Sequence, residues 1–221
     1  MLQPSTIQFL SDLKNNNHKP WFDANRGHYE AAREDFSAFI QKVIDNFSKQ
    51  EPSLAHLKAK DCMFRINRDV RFSKDKSPYK TNFGAYMNAA GKKSPTAGYY
   101  FHFEPGSSFM GGGMWMPGPQ HLSQVRQEID YNLDGFSKIL TSKKFKDVFG
   151  GLSTEKEYVL TRVPKGYAPD NPAAPYLKHK SFVATAFISD ADLVHPSLTT
   201  KTVKAFKTLQ PLIAYLNAAT V

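Results

Sequence analysis

Gly98-Tyr-Tyr-Phe-His-Phe-Glu-Pro-Gly-Ser-Ser-Phe-Met-Gly-Gly-Gly-Met-Trp-Met116 is the stretch that decides the fold. Two aromatic-rich runs, Gly98 to Glu104 and Phe109 to Met116, are separated by Pro, Gly and Ser, the punctuation expected between paired strands. A third run, Phe83 to Asn88, precedes them. The three together read as an antiparallel meander. Gly111-Gly112-Gly113 marks a bulge, or a place where another backbone or a ligand comes close. Pro117-Gly118-Pro119 stops the last strand. Ser181 to Ile188 is a further strand, and Tyr158 to Arg162 a weaker candidate.

Helical spacing takes over on either side. Ser5 is placed to cap a first helix that buries Ile7, Phe9, Leu10 and Leu13 and ends in Asn15-Asn16-Asn17. A second helix is predicted from Lys19-Pro20 to about Ser48, with apolar residues from Trp21 to Phe47 at helical spacing and a weak point at Gly27. Further helices are predicted over about 121–132, 134–149 and 195–217, the last with Pro211 as a kink position. Helices at both ends of a strand-rich middle predict an α+β fold, in which N- and C-terminal helices pack against an antiparallel sheet of meandering strands. Strictly alternating βαβ units are absent, and 1–221 reads as a single domain.

Composition narrows the setting. Hydrophobic content is 41% and charged content 22%, ordinary for a globular protein. The lone cysteine, Cys62, cannot close an internal disulfide, so a reducing cytoplasmic setting is expected. The opening residues lack the basic and apolar blocks of a signal peptide, and no apolar run approaches the ~18 residues that span a bilayer, so no membrane partner is expected.

Charge is the informative property. Residues 58–93 carry ten Lys or Arg and three Asp, a net +7 of the chain's +9. At its centre stands Phe64-Arg-Ile-Asn-Arg-Asp-Val-Arg-Phe-Ser-Lys-Asp-Lys-Ser-Pro-Tyr-Lys80. Asp61 to Val70 alternates as a strand does, and an extended Cys62 to Phe72 puts Phe64, Ile66, Val70 and Phe72 on one face with Arg68 among them, unless a bulge near Arg68-Asp69 turns the arginine outward. A buried arginine is costly unless paired, so its partner is either a protein carboxylate or an anionic ligand. Arg65 and Arg71 lie on the other face. Guanidinium groups grip carboxylate or phosphate with a planar fork, and Lys76 and Lys80 add point charges in a turn fixed by Ser77-Pro78. Tyr79 is a hydrogen-bond donor to the same anion. Asp75 belongs to the same cluster, and Asp69 is the one candidate catalytic group, as an orienter of the arginines or a base.

Three readings follow. The first is a site for an anionic small molecule, phosphorylated or carboxylate. The second is a nucleic-acid module, for which Tyr99, Phe101, Phe103 and Trp115 would supply stacking faces, although plain sheet core is the simpler role for them. The third is a structural ion-pair network without a ligand. Elsewhere, His102 and Glu104 share a strand face with Tyr100, but a metal would need a third ligand. Cys62 reads as a small buried apolar residue. No metal and no cofactor is expected, and whether any reaction occurs stays open, as does oligomeric state.

The pattern Arg65-x-x-Arg68-Asp69-x-Arg71-Phe72, continued by Asp75, Lys76 and Pro78-Tyr79-Lys80, resembles the signature of the bacterial family called domain of unknown function 2461. Asn15-Asn16, Trp21-Phe22 and Tyr29 resemble the family's start. Gly112-Gly113, Trp115, Pro117, Leu122 and Arg126 resemble its middle, and Pro164-Lys-Gly-Tyr167 with Asp170-x-Pro172 its later loop. Asn171 stands where relatives are expected to carry His. The resemblance implies membership over nearly the whole chain, and no activity.

Overall fold

A computed structural model of the chain describes residues 1–220. It holds a four-stranded antiparallel sheet in the order β1-β2-β3-β4: β1 Phe83–Met87, β2 Gly98–Phe103, β3 Ser108–Met114 and β4 Phe182–Ile188. The first three strands follow in sequence order, as a meander must. The helices are α1 Pro4–Asn15, α2 Lys19–Ala24, α3 Arg26–Phe47, α4 Ala59–Cys62, α5 Pro119–Tyr131, α6 Leu133–Thr141, α7 Lys143–Phe149, α8 Ala174–Leu177, α9 Asp190–Leu193 and α10 Leu198–Ala218. The fold is α+β. The chain divides into two compact units: one comprises Met1–Lys92, Tyr100–Met110 and Phe187–Lys204, the other Lys93–Tyr99, Gly111–Ala186 and the chain from Ala205.

In the first unit, α3 is the organising helix. Phe36, Phe39, Ile40, Val43, Ile44 and Phe47 are buried along one stripe. Phe36 meets Phe83, Phe101 and Phe103, at centroid distances of 5.5, 6.2 and 6.1 Å, and Phe39 meets Phe101 edge-on at 4.8 Å. Phe101 and Phe103 are therefore core residues, which removes them as stacking faces. In α1 the first helical residue is Pro4, whose missing N–H costs nothing there. The capping group comes from a distance: the Asp35 carboxylate accepts from Gln3 N (2.8 Å) and Thr6 Oγ1 (2.7 Å), not from a local Ser5 cap.

In the second unit, Phe206 of α10 packs on Tyr99 at 5.2 Å, and the Tyr215 hydroxyl donates to the Glu128 carbonyl (3.1 Å). The glycine run does bring backbones close. A Cβ at Gly111, Gly112 or Gly113 would lie 2.4, 2.5 or 2.0 Å from the carbonyl oxygens of Ala184, Gly98 and Phe182. Only hydrogen fits between these strands.

Several expected boundaries move. The long helix from Lys19 breaks at Asn25 instead of Gly27, because the Asn25 amide folds back to donate to the Trp21 carbonyl (2.9 Å) and caps α2. The 134–149 helix divides at Ser142, whose hydroxyl accepts from Phe145 N and starts α7. Tyr158 to Arg162 is no strand; it makes one isolated bridge, Val159 to His179. Asp61 to Val70 is not a strand either: Asp61 and Cys62 close α4, and the rest pairs through isolated bridges. Helix α10 continues through Pro211, where the missing N–H falls on an exposed helix face. No helix among the described residues is long and apolar enough to cross a membrane.

Candidate functional site

Residues 63–85 run out and back as an irregular arm within the first unit. Met63 bridges Ala85 and Asn67 bridges Tyr79. Between them Phe64 N donates to Gly84 O (2.9 Å), Lys80 N to Ile66 O (2.8 Å) and Arg68 N to Pro78 O (2.9 Å). The outer edge of Tyr79 is closed by a side chain in place of a strand. Asn17 accepts from Tyr79 N (3.1 Å) and donates to Tyr79 O (2.9 Å), so one amide satisfies both backbone groups. The Tyr79 ring, only 7% exposed, stacks on Phe22 at 4.0 Å.

This arm overturns the apolar row proposed around Arg68. Ile66 is buried, but Phe64 is 40% and Phe72 96% exposed. Arg68 is neutralised from within the arm: its Nη1 pairs with the Asp75 carboxylate and donates to Ser77 O (3.3 Å), and Nη2 reaches Ser73 Oγ (3.4 Å). Asp75 also accepts from Ser77 N (2.9 Å) and Ser77 Oγ (2.7 Å). Those two Ser77 bonds, followed by Arg68, hold its carboxyl far below the usual carboxylate range. Arg71 clasps Asp69 through Nε (2.9 Å) and Nη2 (2.6 Å), and this contact lowers the Asp69 carboxyl. Asp69 is thus the counter-ion of Arg71. Lys76 Nζ donates to the Val70 carbonyl (2.9 Å).

Three cations remain. Arg65, Lys74 and Lys80 have no ion pair among the described residues. Lys80 lies over the Phe64 ring at 5.5 Å, and burial together with the neighbouring Arg65 charge lowers its pKa. A groove of about 210 Å³ beside Phe9, Trp21 and His28 and one of about 390 Å³ beside Phe149, Glu155 and Thr185 contain no arm residue. Arg65 and Lys74 are exposed and Lys80 is half-buried.

Beside the arm root runs a hydrogen-bonded line of side chains that the sequence reading caught only in part. Thr81 Oγ1 donates to Glu104 Oε1 (2.9 Å), Glu104 Oε2 lies 3.3 Å from His102 Nε2, and His102 Nδ1 lies 3.1 Å from the Tyr100 hydroxyl. The imidazole stacks on Phe109 at 4.6 Å. The Tyr100 hydroxyl occupies the space where a side chain on Gly84 would begin. Burial and the Glu104 charge push Tyr100 up to about 12. His102 and Glu104 gain no third metal ligand: no group of three or more His, Cys, Asp or Glu capable of holding a metal occurs among the described residues. Cys62 is buried, and burial pushes its thiol up to about 11.

Burial lowers the pKa of His102, and of His179, below 6.5. The unfolded chain therefore binds protons that the folded chain refuses, so these two groups make stability fall as pH drops through about 6.5. The loss continues until the lowered folded values are passed. Thermal melts between about pH 7.5 and 5 should record a declining Tm. Replacing His102 by Gln should flatten part of that decline, and an unchanged slope would remove His102 as a contributor.

A family model described as "Conserved hypothetical protein (DUF2461)" matches residues 5–215. The chain belongs to the DUF2461 family. No curated protein and no solved structure matches it. In this DUF2461 member the motif around Arg65 to Lys80 is the arm, and Asn17, next to the Asn15-Asn16 pair, is its clamp. The motif's conspicuous pairs, Arg68 with Asp75 and Arg71 with Asp69, both close within the arm.

Proposed function

We propose that this protein binds an anionic small molecule, phosphorylated or carboxylate, at the root of the arm, with Arg65 and Lys80 as its charge partners. One observation carries the reading: Lys80 lies within electrostatic reach of Arg65 and neither forms an ion pair among the described residues, while Arg68 and Arg71 are each paired. An anion there would relieve both the repulsion and the desolvation felt by Lys80. Guanidinium supplies a directional fork and ammonium a point charge, a combination suited to phosphate oxygens. In this reading Arg68, Arg71, Asp69, Asp75, Lys76 and Tyr79 shape the arm. The reading is one of binding, and no reaction is assigned.

The test is a thermal-shift and calorimetric screen with inorganic phosphate, sugar phosphates, nucleotides and dicarboxylates. A ligand at ~100-fold its Kd stabilises the folded state by about 2.7 kcal/mol. The Arg65→Ala/Lys80→Met double variant should keep its fold and lose at least about tenfold in affinity, whereas Arg71→Ala should bind normally. Absence of any stabilising compound, or equal binding by the double variant, would defeat the reading.

A further inference from the structure

A groove of about 210 Å³ opens in the first unit where α1, α2 and α3 meet. Phe9 and Trp21, whose rings stack at 6.1 Å, supply its aromatic lining, and Gln8, Asp12, Asn25 and His28 are among its polar groups. No Lys or Arg lines it. Asp12 is half-buried and forms no ion pair among the described residues. Its Oδ1 accepts from Gln8 Nε2 (2.8 Å), which leaves Oδ2 without a donor among the described residues. A carboxylate held beside aromatic rings has lost part of its water and gained no counter-charge.

The hydrogen bonds inside the groove decide what it offers. Asn25 Nδ2 donates to the Trp21 carbonyl (2.9 Å), so Asn25 presents Oδ1, an acceptor, to His28 Nδ1 at 3.2 Å. His28 Nδ1 therefore carries the proton, and in the neutral ring Nε2 holds the lone pair. Gln8 spends a donor on Asp12 and keeps its carbonyl oxygen as an acceptor. The lining is left with one negative charge, two further acceptors and an indole. Of the aromatic side chains, an indole attracts a cation most strongly.

We infer that this groove binds a primary alkylammonium, with Asp12 as its counter-ion, Gln8 and His28 as acceptors and Trp21 as its aromatic partner. An ammonium brings three N–H donors and the missing charge together. A quaternary ammonium brings the charge without a donor, and an anion meets Asp12 with the wrong sign. The volume sets the size. Sites for drug-sized ligands occupy about 300–1,000 Å³, so this groove accommodates a short alkyl chain and its amine. Its walls are helical, with backbone groups bonded within the helices, and they present no sheet edge to an extended peptide. The occupant is therefore a free small amine. The inference is independent of the arm, whose free cations repel such a ligand.

The experiment titrates the full chain with n-butylammonium and, separately, with tetramethylammonium and a lysine-containing peptide at constant ionic strength. The Trp21 indole N–H is followed by NMR and the affinity by calorimetry. A saturable response to butylammonium is expected, with a Kd of about 1–10 mM, the scale open to a ligand this small. Asp12→Asn keeps the shape of the side chain and should weaken binding by about tenfold or more, the value of a charge-assisted contact. Trp21→Phe, which leaves Asp12 in place, should weaken it severalfold and guards against an Asp12 variant that fails to fold. Tetramethylammonium, which has no N–H, should bind about tenfold more weakly than butylammonium. No saturable response to butylammonium overturns the site, as does a response that either substitution leaves unchanged. Equal binding of tetramethylammonium, or a response to the peptide alone, also overturns it.

Discussion

Gly113→Val should leave little or no folded protein. Gly113 has φ +128°, a conformation that L side chains rarely adopt, and a Cβ there would lie 2.0 Å from the Phe182 carbonyl oxygen. That oxygen belongs to β4, so no rotamer change clears it; the strands themselves must part. Backbone strain and lost strand pairing together cost about 4 kcal/mol or more, a large fraction of a typical domain's stability. The expected readout is an insoluble product, or a Tm lower by about 10 °C or more in a chain of this size. Gly27→Ala is the internal control. Nothing lies within 4 Å of a Cβ there, and the position is inside α3, so this change should raise stability by about 0.5–1 kcal/mol. A Gly113→Val protein that melts like the parent would mean that β3 and β4 are not packed as described.

The contrast between these glycines shows what kind of information a sequence holds. Three consecutive glycines after an aromatic run announce a close approach, since nothing else explains giving up three side chains in a strand. Period-two aromatics made β2 legible, and the stripe from Phe36 to Phe47 made α3 legible, because both patterns record burial on one face. Helix breaks were harder. Asn25 and Ser142 end or start helices through side-chain hydrogen bonds to neighbouring backbone. Either residue could equally have pointed to solvent. Gly27, which looked like the breaker, sits inside α3. The α1 cap was illegible for a different reason. Asp35 is 29 residues from Thr6, and no local pattern reports a partner that distant.

The candidate site divides the same way. Charge density located the arm, because ten cations against three acids within 58–93 is a property of composition alone. Its internal pairing was not accessible. Alternation placed Arg68 in an apolar row, but that inference needed a regular strand, and the edge of Tyr79 that a neighbouring strand would have occupied is taken by Asn17. Once the chain curls back at the tip, Asp75 is brought to Arg68 and Phe72 is left in solvent. The acids that punctuate the basic run are its internal counter-ions, which is why charge counting overstated the cations free to meet a ligand. The line from Tyr100 to Glu104 could be read from period two; Thr81 could not, since it joins across 23 residues.

Tyr79 is where structural and functional roles can be separated most sharply. Its ring is nearly buried and stacked on Phe22, with Tyr29 tilted against Phe22 at 5.0 Å and Phe83 6.4 Å from Tyr29. Removing an aromatic side chain from such a cluster costs about 3–5 kcal/mol, from lost apolar burial and the cavity left behind. Tyr79→Ala should therefore lower stability by about that amount and release the arm, seen as faster amide exchange at Arg68 and Lys80, whose N–H groups bond Pro78 and Ile66. Tyr79→Phe keeps the ring and should stay within about 0.5 kcal/mol of the parent. The pair of variants then decides the role of the hydroxyl. If Tyr79 only holds the arm, the Phe variant binds an anion as the parent does while the Ala variant loses binding and stability together. If the hydroxyl touches the ligand, the Phe variant loses affinity with its melting temperature intact, and the burial of the ring is a support for a donor at the site.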